Sequence, residues 1–189
     1  MALMILGLVL FLGIHSTSIV AEDFRNRMAA KSELGWKAFY GIVAIVGIVL
    51  IVKGYAAARM ETAVLYTPPT FVKHIALTLM LPAFILFLAP YFPGRIKAWT
   101  KHPMLVSVKL WAVAHLLANG TVADVVLFGS FLAWAVVDRI SMKRRVERPV
   151  PSVKPKGVND VLVVFAGLGI YLTFLLWLHE LWFGVSPIG

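Results

Sequence analysis

Six stretches of this chain are almost continuously apolar, at residues 2–21, 35–52, 71–89, 104–118, 121–137 and 161–183. Short segments rich in charge, proline or glycine separate them, which is the pattern of helices joined by loops. A bilayer-crossing helix needs about 20 apolar residues, because the hydrocarbon core is about 30 Å thick and each residue rises 1.5 Å. Six such helices account for most of the 189 residues and leave little for an extramembrane domain. The expected fold class is therefore all-α: one polytopic transmembrane helix bundle of about six spans, occupying residues 1–189 as a single domain.

The fourth stretch is short. Pro103 stands at its start, where the missing N–H costs nothing, and Asn119-Gly120 predicts a tight turn into the fifth. Stretches four and five then form a hairpin. The alternative is one long bent helix, which gives five spans and puts the termini on opposite sides.

Lysine and arginine in alternate loops discriminate between these topologies, because basic loops stay cytoplasmic. Arg25, Arg27, Lys31 and Lys37, then Arg95, Lys97 and Lys101, then Arg139, Lys143, Arg144, Arg145, Arg148, Lys154 and Lys156 fall on one side. Only Lys53, Arg59 and Lys73 fall on the other. Six spans, with both termini outside the cytoplasm and residues 138–160 as a basic cytoplasmic loop, follow from that asymmetry. The first stretch is apolar and ends in small residues, as a signal peptide does, but it lacks a basic leading region and carries His15, so it is expected to be a span.

Composition agrees. Hydrophobic residues make up 60% and charged residues 14%, against about 25% charged in soluble domains. The formal net charge of +9 is spread through loops, which points to membrane orientation and away from nucleic acid. The sequence contains no cysteine, which excludes disulfides, thiolate haem ligands, iron–sulfur clusters and cysteine nucleophiles.

Polar groups are costly inside a bilayer, so those within the apolar stretches are the functional leads. They are His15, His74, Lys109, His115, Asp124 and the neighbours His179 and Glu180, with His102 at the entry to the fourth stretch. Each has a structural reading: a histidine can bond a neighbouring helix, Lys109 can snorkel, His102 can cap a helix start and Asp124 can cap the fifth helix. The functional reading of two histidines from different helices in an apolar bundle is ligation of haem b, since covalent attachment requires cysteine. Zinc needs three or four ligands, and no histidine pair has the i, i+4 spacing.

The run His102-Pro103-Met104, followed by Lys109-Leu110-Trp111-Ala112-Val113-Ala114-His115 and Asn119-Gly120, with Gly13-Ile14-His15-Ser16 upstream, resembles the NnrU family. These are membrane proteins associated with bacterial denitrification, and the same pattern is similar to the related plant cis-ζ-carotene isomerases, which are haem b enzymes. The resemblance implies that His15 and His115 are axial haem ligands and that His102 matches the histidine of an RHP element. It implies a role in nitrite and nitric oxide metabolism, or alternatively haem-dependent isomerisation of a polyene. A haem-free accessory role is the third reading, and whether the chain is an enzyme is left open. The likeness departs at three places. Ala112 stands where the isomerase has a cysteine that exchanges with a ligand, and the isomerase's further histidines fall near Lys53-Gly54 and Gly129-Ser130.

Helix directions add a geometric expectation. His15 lies about 13 residues from the outer end of its helix and His115 about five, a depth difference of roughly 12 Å at 1.5 Å per residue. By the same count His74, His115 and His179 form an outer layer and a second-choice ligand set. Lys109 is a candidate partner for a haem propionate, and the expected partners are the lipid bilayer, haem and a hydrophobic small molecule.

Overall fold

Each apolar stretch becomes a helix, and side chains cap the starts of two of them, Ser32 for α3 and Thr121 for α7. The computed structural model describes residues 1–146 and 148–188. Its helices are α1 (Ala2–Val20), α2 (Glu22–Lys31), α3 (Glu33–Glu61), α4 (Thr70–Leu88), α5 (Arg95–Thr100), α6 (Pro103–Ala118), α7 (Val122–Ser141) and α8 (Val158–Thr173). A wide π turn, Phe174–Leu178, continues α8 into α9 (His179–Phe183). No strand is formed among the described residues beyond a lone bridge between Val64 and Thr121.

Four helical rods are long and apolar enough to cross a bilayer: α1, α3, α4 and the rod Val158–Phe183. The other two large helices differ from that standard. With 16 residues, α6 spans about 24 Å, some 6 Å less than a hydrocarbon core. The 20-residue α7 carries Asp124, Asp138 and Arg139. They form an antiparallel hairpin, with Trp111 of α6 against Phe131 of α7 and His115 against Phe128. A single bent helix is therefore not what the chain builds.

The hairpin turn is not the tight turn expected from Asn119-Gly120. Asn119 is extended (φ −135°, ψ 137°), and only Gly184 among the described glycines has a positive φ. Residue 120 is glycine because the loop between α3 and α4 lies against it: an added Cβ would come within 1.9 Å of the Tyr66 carbonyl oxygen. That loop pairs with the turn through Leu65 N–H to Gly120 O (2.7 Å) and Val122 N–H to Ala63 O (2.9 Å). A reciprocal capping box then starts α7, with Thr121 Oγ1 accepting from Asp124 N–H and Asp124 Oδ2 accepting from Thr121 N–H.

Close approach of α1 and α3 fixes the centre. Gly7, Gly47 and Gly54 lie at their crossing, where an added Cβ would meet Ile51 N at 2.6 Å, Phe11 N at 2.8 Å and Met4 N at 2.2 Å respectively. Without a hydrophobic drive between helices in lipid, such small-residue contacts supply the packing energy. A core of Met4, Leu8, Ile51, Ala58, Ala112, Leu127 and Phe128 fills the space between α1, α3, α6 and α7. On the other side Gly167 of α8 packs on Ile85 of α4, and Ser107 of α6 donates to the Ala83 carbonyl (2.7 Å).

Two helices were not expected. The polar α2 carries Glu22 and Asp23 in its first turn and Lys31 in its last, which complements the helix dipole without any apolar run. The short α5 is started by Asp160, whose carboxylate accepts from Arg95 N–H (2.8 Å) and Ile96 N–H (3.0 Å). The segment 148–157 crosses this same end of the bundle. Arg148 donates to Ser18 (3.1 Å), Glu22 (2.7 Å) and Asn26 (3.0 Å), while Val153 N–H reaches Tyr91 O (3.0 Å). The three basic segments are thereby gathered at one end, called the inner end below.

Candidate functional site

Histidine distinguishes the two halves of the bundle. His15 lies on α1 towards the inner half, where its ring stacks on Phe11 (centroids 4.2 Å) and approaches Tyr40 (5.0 Å) and the edge of Trp134 (5.8 Å). His115, one turn from the outer end of α6, stacks on Phe128 (4.6 Å) beside Trp111 (5.1 Å). Its other neighbour is His179, at the first position of α9, with centroids 6.5 Å apart and planes inclined by 25°.

All three rings are held in the same way. His15 Nδ1 lies 2.6 Å from Phe11 O, His115 Nδ1 lies 2.8 Å from Trp111 O, and His179 Nδ1 lies 2.7 Å from Val185 O. A carbonyl oxygen only accepts, so each Nδ1 carries the hydrogen, which in the neutral imidazole leaves the lone pair on Nε2. No residue among those described hydrogen-bonds any of these three Nε2 atoms. An imidazole oriented by an Nδ1–H to carbonyl bond is the usual state of a metal-ligating histidine.

The structure brings His115 to His179 and does not bring His15 to His115. Along α7, Phe128 marks the level of His115, Phe131 that of Trp111 and Phe11, and Trp134 that of His15. From Phe128 to Trp134 is six residues, about 9 Å of helix. Phe11, Phe131 and Trp111 fill that interval. His74 sits exposed in the second turn of α4, its carbonyl accepting from Thr78. Lys109 is half-buried on α6, six residues or about 9 Å inward of His115. His102 is the N-cap residue of α6, its carbonyl accepting from Leu105 and Val106.

Residues that sequence reasoning passed over complete the outer layer. The Tyr55 hydroxyl donates to Asp124 Oδ1 (2.6 Å), and Arg59 donates to the Phe183 carbonyl (2.8 Å), tying α3 to the end of α9. Arg59 Nε is buried without a partner among the described residues, as is Trp134 Nε1 beside His15. The Tyr66 hydroxyl, in the outer loop, donates to the carbonyls of Asn119 (2.8 Å) and Leu116. Partial burial, reinforced by nearby Asp124, pushes that phenol upward and keeps it a donor. Arg59 was legible only as a sparse outer charge, because its partner is 124 residues away.

Among the described residues no group of three or more histidine, cysteine, aspartate or glutamate side chains gathers as a metal cage. A two-histidine pair in an aromatic shell is the donor set this layer offers.

No match is found among curated proteins or among solved structures. A family model does match, that of the NnrU protein family, and it covers residues 3–187. With nearly its whole length matched, and with the helical build just described, the chain belongs to the NnrU family.

Proposed function

We propose that this chain is a haem b-binding integral membrane protein of the bacterial inner membrane, acting in nitrite and nitric oxide metabolism. The carrying observation is the outer pair: the rings of His115 and His179 lie 6.5 Å apart between centroids, each with Nδ1 anchored at a carbonyl. Two imidazoles sharing one metal through Nε2 have centroids roughly 6 Å apart, from metal–nitrogen bonds of about 2 Å and about 1 Å from nitrogen to ring centre. Phe128, Trp111 and Phe183 surround the pair and supply the apolar shell that tunes a haem potential. When bound there, haem would supply a redox-active iron; the protein's part is to hold the two imidazoles in one tautomer and to exclude water.

The π turn immediately before His179 favours the same reading, since such turns occur frequently at functional positions. His15, the partner implied by family likeness, stands about 9 Å along α7 and would share an iron with His115 only after a slide of almost two turns. Lys109 lies inward of the outer pair, and Arg59, tied to the end of α9, is the nearer cation for a propionate. In the membrane we read α6 and α7 as two further crossings, giving six spans with both termini periplasmic. Gathering of the basic segments at the inner end supports that orientation.

The test is an absorption spectrum, oxidised and dithionite-reduced, of detergent-purified protein expressed with added haem. A Soret band and sharp reduced α/β bands are expected in wild type and in His15→Ala, with loss in His115→Ala and His179→Ala. Loss in His15→Ala with retention in His179→Ala would overturn the outer pair in favour of the family-implied one. A featureless spectrum from folded, haem-replete wild type would leave the accessory role.

A further inference from the structure

At the inner end, where α1, α2 and α3 meet the segment after α7, a cavity of about 230 Å³ is lined by Ser18, Arg25, Trp36, Lys37, Tyr40 and Arg148. Three cations border it. Arg148 is matched by Glu22 at 2.7 Å, and Lys37 by Glu33 at 2.7 Å. The second pair is largely exposed, with side chains 64% and 72% accessible, and so holds Lys37 only weakly. Arg25 has no carboxylate partner among the described residues; its guanidinium makes one 3.3 Å bond, to the Asn26 amide oxygen. Among the described residues that line the cavity or pair with its lining, three positive and two negative groups leave one positive charge.

Arg25 and Arg148 also repel one another. Partial burial, then the Arg148 charge, lower the Arg25 pKa, while the charges of Glu33 and Glu22 act in the opposite direction. A single negative charge between them would relieve both effects. Guanidinium forks match phosphate oxygens in two-point contacts, and Trp36 and Tyr40 provide an amphipathic wall of the kind found at a membrane boundary.

We propose that this cavity holds the phosphate group of an anionic phospholipid of the inner leaflet, with Arg25 and Arg148 on the phosphate and Lys37 at the rim. The site is separate from the outer pair of His115 and His179, and its Tyr40 wall lies 5.0 Å from His15. A phosphodiester carries the one negative charge that the five charged side chains lack, and its glycerol end can follow the exposed flank of α3 towards the lipid. Free phosphate offers the same oxygens without acyl chains, so the test must separate the two.

The full-length protein is exchanged into mixed micelles of phosphatidylglycerol and phosphatidylcholine and examined by native mass spectrometry. One retained phosphatidylglycerol per chain is expected, in preference to phosphatidylcholine and in the presence of excess inorganic phosphate. Retention should fall roughly fivefold in Arg25→Gln and again in Arg25→Gln with Lys37→Gln, as expected for each basic residue removed from an anionic surface. Lys143→Gln, at the same end but outside the cavity, should retain lipid like wild type. Equal retention of the two lipids, or undiminished phosphatidylglycerol in Arg25→Gln, would overturn the proposal, and displacement by inorganic phosphate would overturn the lipid as its source. Thermal unfolding in neutral detergent checks that Arg25→Gln is folded; Lys37→Gln alone supplies the reading if it is not.

Discussion

The Tyr55 hydroxyl and the Asp124 carboxylate meet at 2.6 Å, joining the outer part of α3 to the first turn of α7. Asp124 is only 3% exposed, and its oxygens also accept from the backbone and side chain of Thr121. A buried carboxylate is tolerable only when its lone pairs are occupied, and three donors do so here. Tyr55→Phe removes one donor and is expected to cost about 1–2 kcal/mol. Asp124→Ala removes the cap as well and strands the tyrosine, so its unfolding midpoint in detergent should fall further. Equal effects of the two variants would show that the cap contributes nothing.

Gly54 and Gly13 form a matched pair for testing the α1–α3 crossing. A Cβ on Gly54 would lie 2.2 Å from Met4 N, whereas one on Gly13 meets nothing within 4 Å. Gly54→Ala must push two backbones apart and should cost about 1–3 kcal/mol with a loss of folded yield. Gly13→Ala should be neutral or slightly stabilising, since alanine is the better helix former. Thermal melts of the two variants side by side check the difference.

Asp138 and Arg145 form an ion pair at the inner end of α7, with side chains 8% and 11% accessible. Removing one member leaves the other charge buried and alone, which costs about 3–5 kcal/mol in comparable sites. Arg145→Gln and Asp138→Asn should each be severe, and the double variant Asp138→Asn/Arg145→Gln should recover much of the loss. Additive penalties in that cycle would mean the two groups do not interact.

A chain without cysteine is a ready background for mapping which end faces the cytoplasm. Cysteine placed at Ser152 should react with a membrane-impermeant maleimide only after the inner face is opened. Cysteine at Thr67 or Ser186 should react in intact spheroplasts. Reaction at Ser152 and Ser186 from the same side would refute six crossings.

Much of this fold was legible because apolar runs, proline and capping residues act locally. The hairpin of α6 and α7 is legible from Pro103, from Asn119-Gly120 and from Asp124 as a cap, all within a few residues of the helix ends they mark, and the structure adds Thr121 as the partner of that cap. The polar α2 escaped because its cohesion is charge order and not hydrophobicity. Counting residues from helix ends placed His74, His115 and His179 in one layer; the rings of His115 and His179 lie 6.5 Å apart, while His74 stays exposed near the start of α4. The same count separated His15 from His115. What no count could supply was tertiary reach: Arg59 to the Phe183 carbonyl, Asp160 to α5, and the loop that makes Gly120 necessary.

The π turn at Phe174–Leu178 has a consequence for how this chain tolerates change. A π turn houses one residue more than an α turn, so everything beyond it is rotated by about 100° relative to an unbroken α-helix. The face that α9 presents to α6 is therefore set by residue number in this stretch as much as by residue identity. Conservative exchanges within Phe174–Leu178 keep that phase. A one-residue deletion that restores α-helical winding turns the His179 imidazole away from His115 while leaving the length and apolar character of the rod nearly intact, so the pair is vulnerable to a lesion that hydropathy cannot see.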